Sequence, residues 1–233
     1  MPSSCAGRWY CRTHQSPGWL VTGTRGYPPP NEHAFQSQRA ELSRVARTFL
    51  SEEARYCSET GSKPVYLEAS LGMKTFGEAS EIDTDEPIPI RLPNGASLRV
   101  RGRVDRIDRL GGGAAGSYAI WDYKTGSAWK YREGDPFRQG RVVQPTLYVA
   151  MVAQRLKKAV SAKAKVVQFG FFFPGARERG RRIQWTPEQL TEGKDILGKL
   201  VETVRGGAFL ATDNAEDCKY CDYQAICGDV AGF

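Results

Sequence analysis

The chain has 233 residues, 40% of them apolar and 11% aromatic, enough for one domain with a proper core and too apolar for a disordered chain. Its 33 Lys and Arg against 26 Asp and Glu give a net charge of +7, which favours a polyanionic partner without naming one. There is no membrane-length apolar run and no secretory leader, so a cytoplasmic location is expected, and in that reducing setting six cysteines read as ligands or core residues rather than as disulfides.

Residues 1–30 hold Cys5, Cys11, His14, Trp9 and Trp19 among Gly, Ser, Thr and Pro, with neither helical nor strand periodicity. Glu32 to Cys57 reads as an amphipathic helix, with Phe35, Leu42, Val45, Ala46, Phe49 and Leu50 near one stripe and Asn31 suited to the N-cap. Cys57 is read as a small buried residue. Lys63 to Met73 is the first expected core strand, with Val65, Leu67, Ala69 and Leu71 on one face and Tyr66, Glu68 and Ser70 on the other. Gly77 to Glu86 holds five acids among small residues and reads as a solvated loop. PIPIRLPNGASLRVRG predicts a short strand, an Asn94-Gly95 turn and the strand that leads to Asp105.

Ser97 to Asp108 reads as one strand, GGGAAGS as a turn, and YAIWDYKTG as a second strand, which together predict an antiparallel hairpin. Asp122 and Lys124 are two apart and share a face of that second strand. With Asp105 across from them, two carboxylates and an ammonium converge, a donor set that suits Mg²⁺ and a phosphate. The metal would polarise a phosphoryl oxygen and acidify a water, while Lys124 steadies the developing charge, so the implied chemistry is phosphodiester hydrolysis. The bland reading is a solvated hairpin edge, but the apolar YAIW run puts the pair at the end of a buried strand. Asp108 and Asp105 fall on opposite strand faces, so only one can face the site. Arg103 and Arg106 either contact phosphate or cover the sheet.

The following loop mixes Trp129, Lys130, Tyr131, Arg132, Arg138 and Arg141. Such a mixture suits arginines on phosphates and rings on unpaired bases, and it equally suits aromatics that pack back onto the domain. Arg141 to Leu156 is predicted helical, with Gln144 and Tyr148 at i, i+4 on one face. KAKVVQFGFFFP should be a buried strand and RRIQW a further one. Thr186-Pro-Glu-Gln should open a helix, with Thr186 at the N-cap and Gln189 completing a capping box, and Gly206-Gly207 should end it. In the tail, Cys218, Cys221 and Cys227 follow a C-x₂-C-x₅-C spacing. Three thiolates this close point to a soft metal or a cluster; zinc and [4Fe–4S] both need a fourth ligand, and spacing does not separate them.

GRVDRID, WDYKTG and QPTLYVAM resemble the RecB-like nuclease domain of the PD-(D/E)xK superfamily, over Lys63 to Cys227. Such domains occur in bacterial helicase-nucleases that process double-strand breaks and in CRISPR adaptation nucleases. The resemblance implies an α/β fold: a mixed central β-sheet flanked by helices, a restriction-endonuclease-like core with a C-terminal cysteine cluster. It implies an Mg²⁺- or Mn²⁺-dependent deoxyribonuclease in which Asp105 and Asp122 are metal ligands and Lys124 is the catalytic lysine. Gln144 and Tyr148 become the supporting helix pair, and Glu68 in KPVYLEASLG the upstream acid that completes the metal set. Within the iron–sulfur (AddB-type) subgroup, Cys218, Cys221 and Cys227 bind a structural [4Fe–4S] cluster together with one distant N-terminal cysteine. Cys11 is the first choice for its Trp-Tyr-Cys-Arg setting, then Cys5, then Cys57, with zinc the alternative metal. The family's usual N-terminal C-P-x-x-F segment is not found here.

The expected organisation is an N-terminal segment (1–30), a nuclease core (31–211) and a cysteine segment (212–233). The expected function is a DNA nuclease, exonuclease or endonuclease, in repair or recombination. It would act on ends or single strands; no G-x-x-x-x-G-K-[ST] occurs, so the chain has no helicase motor of its own and would work with a separate helicase or form part of a larger enzyme. The alternative is a DNA-binding module that keeps the metal or cluster but does not cleave.

Overall fold

The computed structural model describes residues 31–111, 116–208, 212, 214–219 and 221–227. Helix α1 (Glu32–Thr60) begins where the sequence predicts: the Asn31 side chain accepts the Ala34 N–H at 3.1 Å. It ends on Gly61, whose φ of 64° is left-handed and whose N–H returns to the Cys57 carbonyl. Strand β1 (Lys63–Leu71) follows, then β2 (Ile88–Arg91), β3 (Ser97–Val100), β4 (Gly102–Arg109) and β5 (Ser117–Tyr123). Helix α2 (Gln144–Ala159) leads to β6 (Lys165–Phe173) and β7 (Arg181–Trp185), and α3 (Gly193–Arg205) precedes two short tail helices, α4 (Ala215–Cys218) and α5 (Gln224–Cys227).

The main sheet has the order β1-β4-β5-β6-β7. Strands β5 and β6 are parallel, joined by the α2 crossover, and the other neighbours are antiparallel. The expected mixed sheet flanked by helices is therefore present. One face carries Ile120, Phe169, Phe171 and Trp185 into a core with Met151, Val152 and Leu156 of α2. The other turns Trp121, Tyr123 and Phe172 toward Phe49 and Tyr56 of α1. Gly170 has no room for a side chain, since a Cβ there would stand 2.4 Å from the Trp121 ring that lies across it. Among the described residues no helix is long and apolar enough to cross a membrane.

Charge is buried under α1. Arg106 donates to both oxygens of Asp108, at 2.6 and 2.7 Å, and to Glu53 of α1, while Arg182 of β7 takes the other Glu53 oxygen at 2.6 Å. Ser62 closes the group by donating to Asp108 at 2.9 Å. Burial works against the Arg106 charge, but Asp108 and Glu53 outweigh it and leave the guanidinium pKa raised.

Several expectations change. β1 is an edge strand, not a central one, so Val65 and Leu67 are exposed and only Ala69 and Leu71 of their set are buried. The predicted strand from Ser97 to Asp108 splits at Arg101: β3 pairs with β2 in a separate ribbon, and β4 joins the main sheet. On α1, Phe49, Glu53 and Tyr56 choose the face that meets the sheet, which leaves Leu42 and Leu50 on a neighbouring, exposed ridge. The acidic loop is built rather than merely solvated. Asp83 accepts from the Ser70 and Ser80 amides and from the Thr75 and Ser80 hydroxyls, and Ile82 is fully buried. The predicted helix at Thr186 keeps half its capping box, Gln189 accepting the Thr186 N–H at 2.8 Å, but forms only a 3₁₀ turn before α3. Thr146 of α2 donates to the Leu190 carbonyl, which a continuous helix would need for itself.

Candidate active site

The β5–α2 unit fixes the first half of the site. The Lys124 amide donates to the Phe172 carbonyl at 2.9 Å, so the chain stays extended along β6 past the end of β5. The alternation then places Asp122 and Lys124 on the α2 side, with Lys124 Nζ 2.6 Å from Asp122 Oδ2 and 5.0 Å from the centre of the Phe171 ring. Gln144, the first residue of α2, joins them: its Nε2 donates to Asp122 Oδ1 at 2.9 Å, and its Oε1 accepts from Lys124 Nζ at 3.3 Å. One helical turn on, Tyr148 donates its hydroxyl to the Arg103 carbonyl of β4 at 2.7 Å. The second carboxylate comes from β4, where Asp105 Oδ2 accepts the Tyr123 N–H of β5 at 2.7 Å.

Asp122 is buried, and its Oδ2 has the Lys124 ammonium 2.6 Å away as its counter-charge. Burial pushes the Asp122 carboxyl above the ordinary range; the Lys124 ammonium opposes this, and the negative charge of Asp105 adds to it. Tyr148 is pushed up as well, first by burial, against a lowering contribution from Gln144. Two carboxylates, one of them buried, share the single Lys124 ammonium, so the pair is short of positive charge. The donor set fits a hard divalent cation held by Asp105 and Asp122.

The regular pleat slips at Asp105. Val104 and Ile107 both enter the α2-side core although they are three apart, whereas Arg106 and Asp108 bond on the α1 side. Across the ladder, Leu67 pairs with Arg106 and Ala69 with Val104, which puts Glu68 opposite Asp105. Glu68 has a φ of 53°, left-handed and strained for a residue with a Cβ.

Of the residues singled out in the sequence, the structure gathers Asp105, Asp122, Lys124, Gln144 and Tyr148. It does not gather Glu68, which is exposed; among the described residues no group of three or more His, Cys, Asp or Glu stands close enough to hold a metal. Asp108 lies on the reverse face under α1, as the strand argument requires, and Arg106 is buried there with it. Tyr131 packs on Phe171 and Phe173, whereas Trp129 stands 66% exposed, so the loop divides between the two readings offered for it. Cys57 is buried. Cys218 is half-buried and Cys221 and Cys227 are exposed, with no disulfide among the described cysteines; Cys11 and Cys5 lie outside the described residues. Sequence reasoning passed over Glu53 and Arg155. An internal salt-bridge partner 53 residues away leaves no local signal, although a strand that reads Val-Asp-Arg-Ile-Asp already asks where its buried charges go.

A model of the PD-(D/E)XK nuclease superfamily matches residues 20–228. The chain belongs to that superfamily, as a RecB-like domain. Among curated relatives it is 35% identical over 122 residues to a subunit of an ATP-dependent helicase/deoxyribonuclease from Symbiobacterium thermophilum, covering 50% of this chain and 10% of that one. The protein of the same description from Geobacillus kaustophilus is 28% identical over 189 residues, covering 78% of this chain and 14% of its own. The chain thus spans between a tenth and a seventh of the length of these relatives.

Proposed function

We propose that this PD-(D/E)XK domain is a divalent-metal-dependent deoxyribonuclease that hydrolyses phosphodiester bonds. The observation that carries the reading is the buried Asp122 carboxylate beside Asp105, with Lys124 on one of its oxygens and Gln144 on the other. Bound to Asp105 and Asp122, Mg²⁺ or Mn²⁺ would supply Lewis acidity to a phosphoryl oxygen and to a water. The protein's own part is positional and electrostatic. Tyr123 N–H holds one oxygen of Asp105 and Gln144 Nε2 holds Asp122 Oδ1, while Lys124 stands 2.6 Å from Asp122 Oδ2, the oxygen a cation would share with it. Lys124 offers its ammonium to the charge that develops on the phosphate, and Gln144 Oε1 keeps it at that position. Tyr148 pins α2 to the backbone of β4, fixing the distance between the two halves of the site. Glu68 is read as an auxiliary carboxylate on the strength of its register opposite Asp105 and its strained backbone.

The relatives are described as subunits of an ATP-dependent helicase/deoxyribonuclease, which supports a nuclease domain that works beside a helicase, and we extend that reading to a place in repair or recombination. The cysteine triplet is read as ligating an iron–sulfur cluster or zinc, with Cys11 as the fourth ligand, because three thiolates within ten residues form a soft donor set. Iron, sulfide and zinc analysis of anaerobically purified protein, with Cys221→Ser as the comparison, tests that part separately.

The decisive experiment is cleavage of end-labelled single- and double-stranded DNA with Mg²⁺ or Mn²⁺, for wild type, Asp122→Ala and Lys124→Ala. Metal-dependent cutting that both substitutions abolish supports the nuclease. DNA binding without cutting, unchanged by either substitution, leaves the non-cleaving module instead.

A further inference from the structure

The strand directions place one end of the main sheet under three loops. The C-terminal end of β1, the N-terminal end of β4 and the C-terminal ends of β5 and β6 lie together, because β1 and β4 run antiparallel to their neighbours while β5 and β6 run parallel. Asp122 and Lys124 stand at this end. From it rise the loop after β1 and the loop after β5, and each lifts one large aromatic ring into solvent: Phe76 is 79% exposed and Trp129 66%.

Neither ring is exposed because its loop lacks structure. The loop of Phe76 is organised around Asp83, anchored by the buried Ile82, and tied to the site helix by Arg155, which donates to the Ile82 and Asp83 carbonyls at 2.7 and 2.9 Å. Trp129 sits on a 3₁₀ turn whose first residue, Ala128, is fully buried and donates its N–H to Glu178, to which the Ser127 hydroxyl also donates. Each ring also has a cation against it. The Arg103 guanidinium lies 5.3 Å from the Phe76 centroid and the Lys130 ammonium 5.3 Å from that of Trp129. Arg103 itself belongs to the site: it is two residues from Asp105, and its carbonyl receives the Tyr148 hydroxyl.

We infer that Phe76 with Arg103 and Trp129 with Lys130 form two stacking posts, one on each side of the carboxylate site, that take unpaired nucleobases on the rings and adjoining phosphates on the cations. An apolar ring costs free energy in water and recovers it when a base covers its face, while the neighbouring cation meets the charge that a base always brings with it. This rests on the nuclease reading for its location, and it adds residues that select how the strand lies across the site. Tyr131, packed on Phe171 and Phe173, is excluded from the posts.

Fluorescence anisotropy of labelled oligothymidylate, with chelator present so that nothing is cut, provides the test, using the full chain as wild type, Phe76→Ala, Trp129→Ala, Phe76→Tyr and Trp129→Phe. Each alanine should weaken binding on the order of 5- to 100-fold, the range expected for one lost base–aromatic stack, and the ring-preserving variants should restore it. On an abasic oligonucleotide of equal length, all five proteins should bind alike. Equal affinity of the alanine variants and wild type for oligothymidylate would overturn the posts, and so would an equal loss on the abasic strand. The nuclease reading is scored separately by cutting with Mn²⁺ added. Wild type that cuts while the alanine variants bind and cut as it does refutes the posts alone, and wild type that neither binds nor cuts DNA refutes both.

Discussion

Replacing Arg106 by Met probes the charge buried beneath α1. The substitution keeps an unbranched chain of similar reach, but it removes the cation that both oxygens of Asp108 share and that Glu53 also uses. Glu53 retains Arg182, at 2.6 Å, so its loss is partial. Asp108 has a side chain with no solvent exposure and would keep only the Ser62 hydroxyl. Removing one partner of a buried pair costs about 3–5 kcal/mol, mostly from the charge left behind. For a chain of this size that corresponds to a fall in Tm of roughly 10 °C. The assay is thermal unfolding followed by circular dichroism, for wild type, Arg106→Met, Asp108→Asn and the double variant. The double variant should recover at least half of the loss, because an asparagine in place of Asp108 carries no charge and can still accept from Ser62 through its amide oxygen. A loss for Arg106→Met below about 1 kcal/mol, or no recovery in the double variant, would refute the assignment of this network as the lock between α1 and the sheet.

The buried Asp122 gives a pH prediction. Its folded-state pKa is raised, so the fold penalises the charged form; the stability it permits is full below the unfolded carboxylate value and is lost as pH rises through the folded one. Metal-free wild type should therefore lose stability relative to Asp122→Asn over that window, and thermal melts in chelator that show a constant difference across it would count against the burial argument. Gln144→Ala releases both Asp122 and Lys124, so we expect a 10- to 100-fold drop in Mn²⁺ affinity or in kcat/KM, as on losing a partner that orients a metal ligand. A titration of the Mn²⁺-induced rise in Tm reads the affinity without substrate, and unchanged values in both assays would remove Gln144 from the site. Glu68→Gly relieves a left-handed φ and should raise stability by about 1 kcal/mol while lowering cleavage; if cleavage is unaffected, the strain has no bearing on the reaction.

Much of the site could be read from sequence because it rests on local rules. Two residues on a strand share a face, so Asp122 and Lys124 had to meet, and a helix that starts soon after had to present Gln144 and Tyr148 one turn apart. Asp105 and Asp108 do serve opposite sides of the sheet as expected, but the pleat slips between them, so simple alternation is not the reason. What escaped depends on partners distant in the chain. The edge position of β1 follows from which strands pair, not from its own apolar pattern, and the slip at Asp105 is set against Glu68 across the ladder. Glu53, Arg106, Asp108 and Arg182 come from three separate elements, and no window of sequence holds them together. The resemblance placed Glu68 with the metal ligands; it lies opposite Asp105 in the ladder and is exposed, and a residue whose backbone breaks the pleat cannot be placed by strand parity.

The hydrogen bond from the Tyr123 amide to Asp105 makes a single proton into a reporter. In a regular ladder that N–H would answer only to a neighbouring backbone carbonyl. Here its acceptor is a carboxylate that protonation weakens and a cation draws upon. Hydrogen–deuterium exchange and the amide chemical shift at Tyr123 should accordingly follow the charge state of Asp105 directly. Occupancy of the site can then be measured at one backbone position in the resting protein, with no DNA present and no bond being cut.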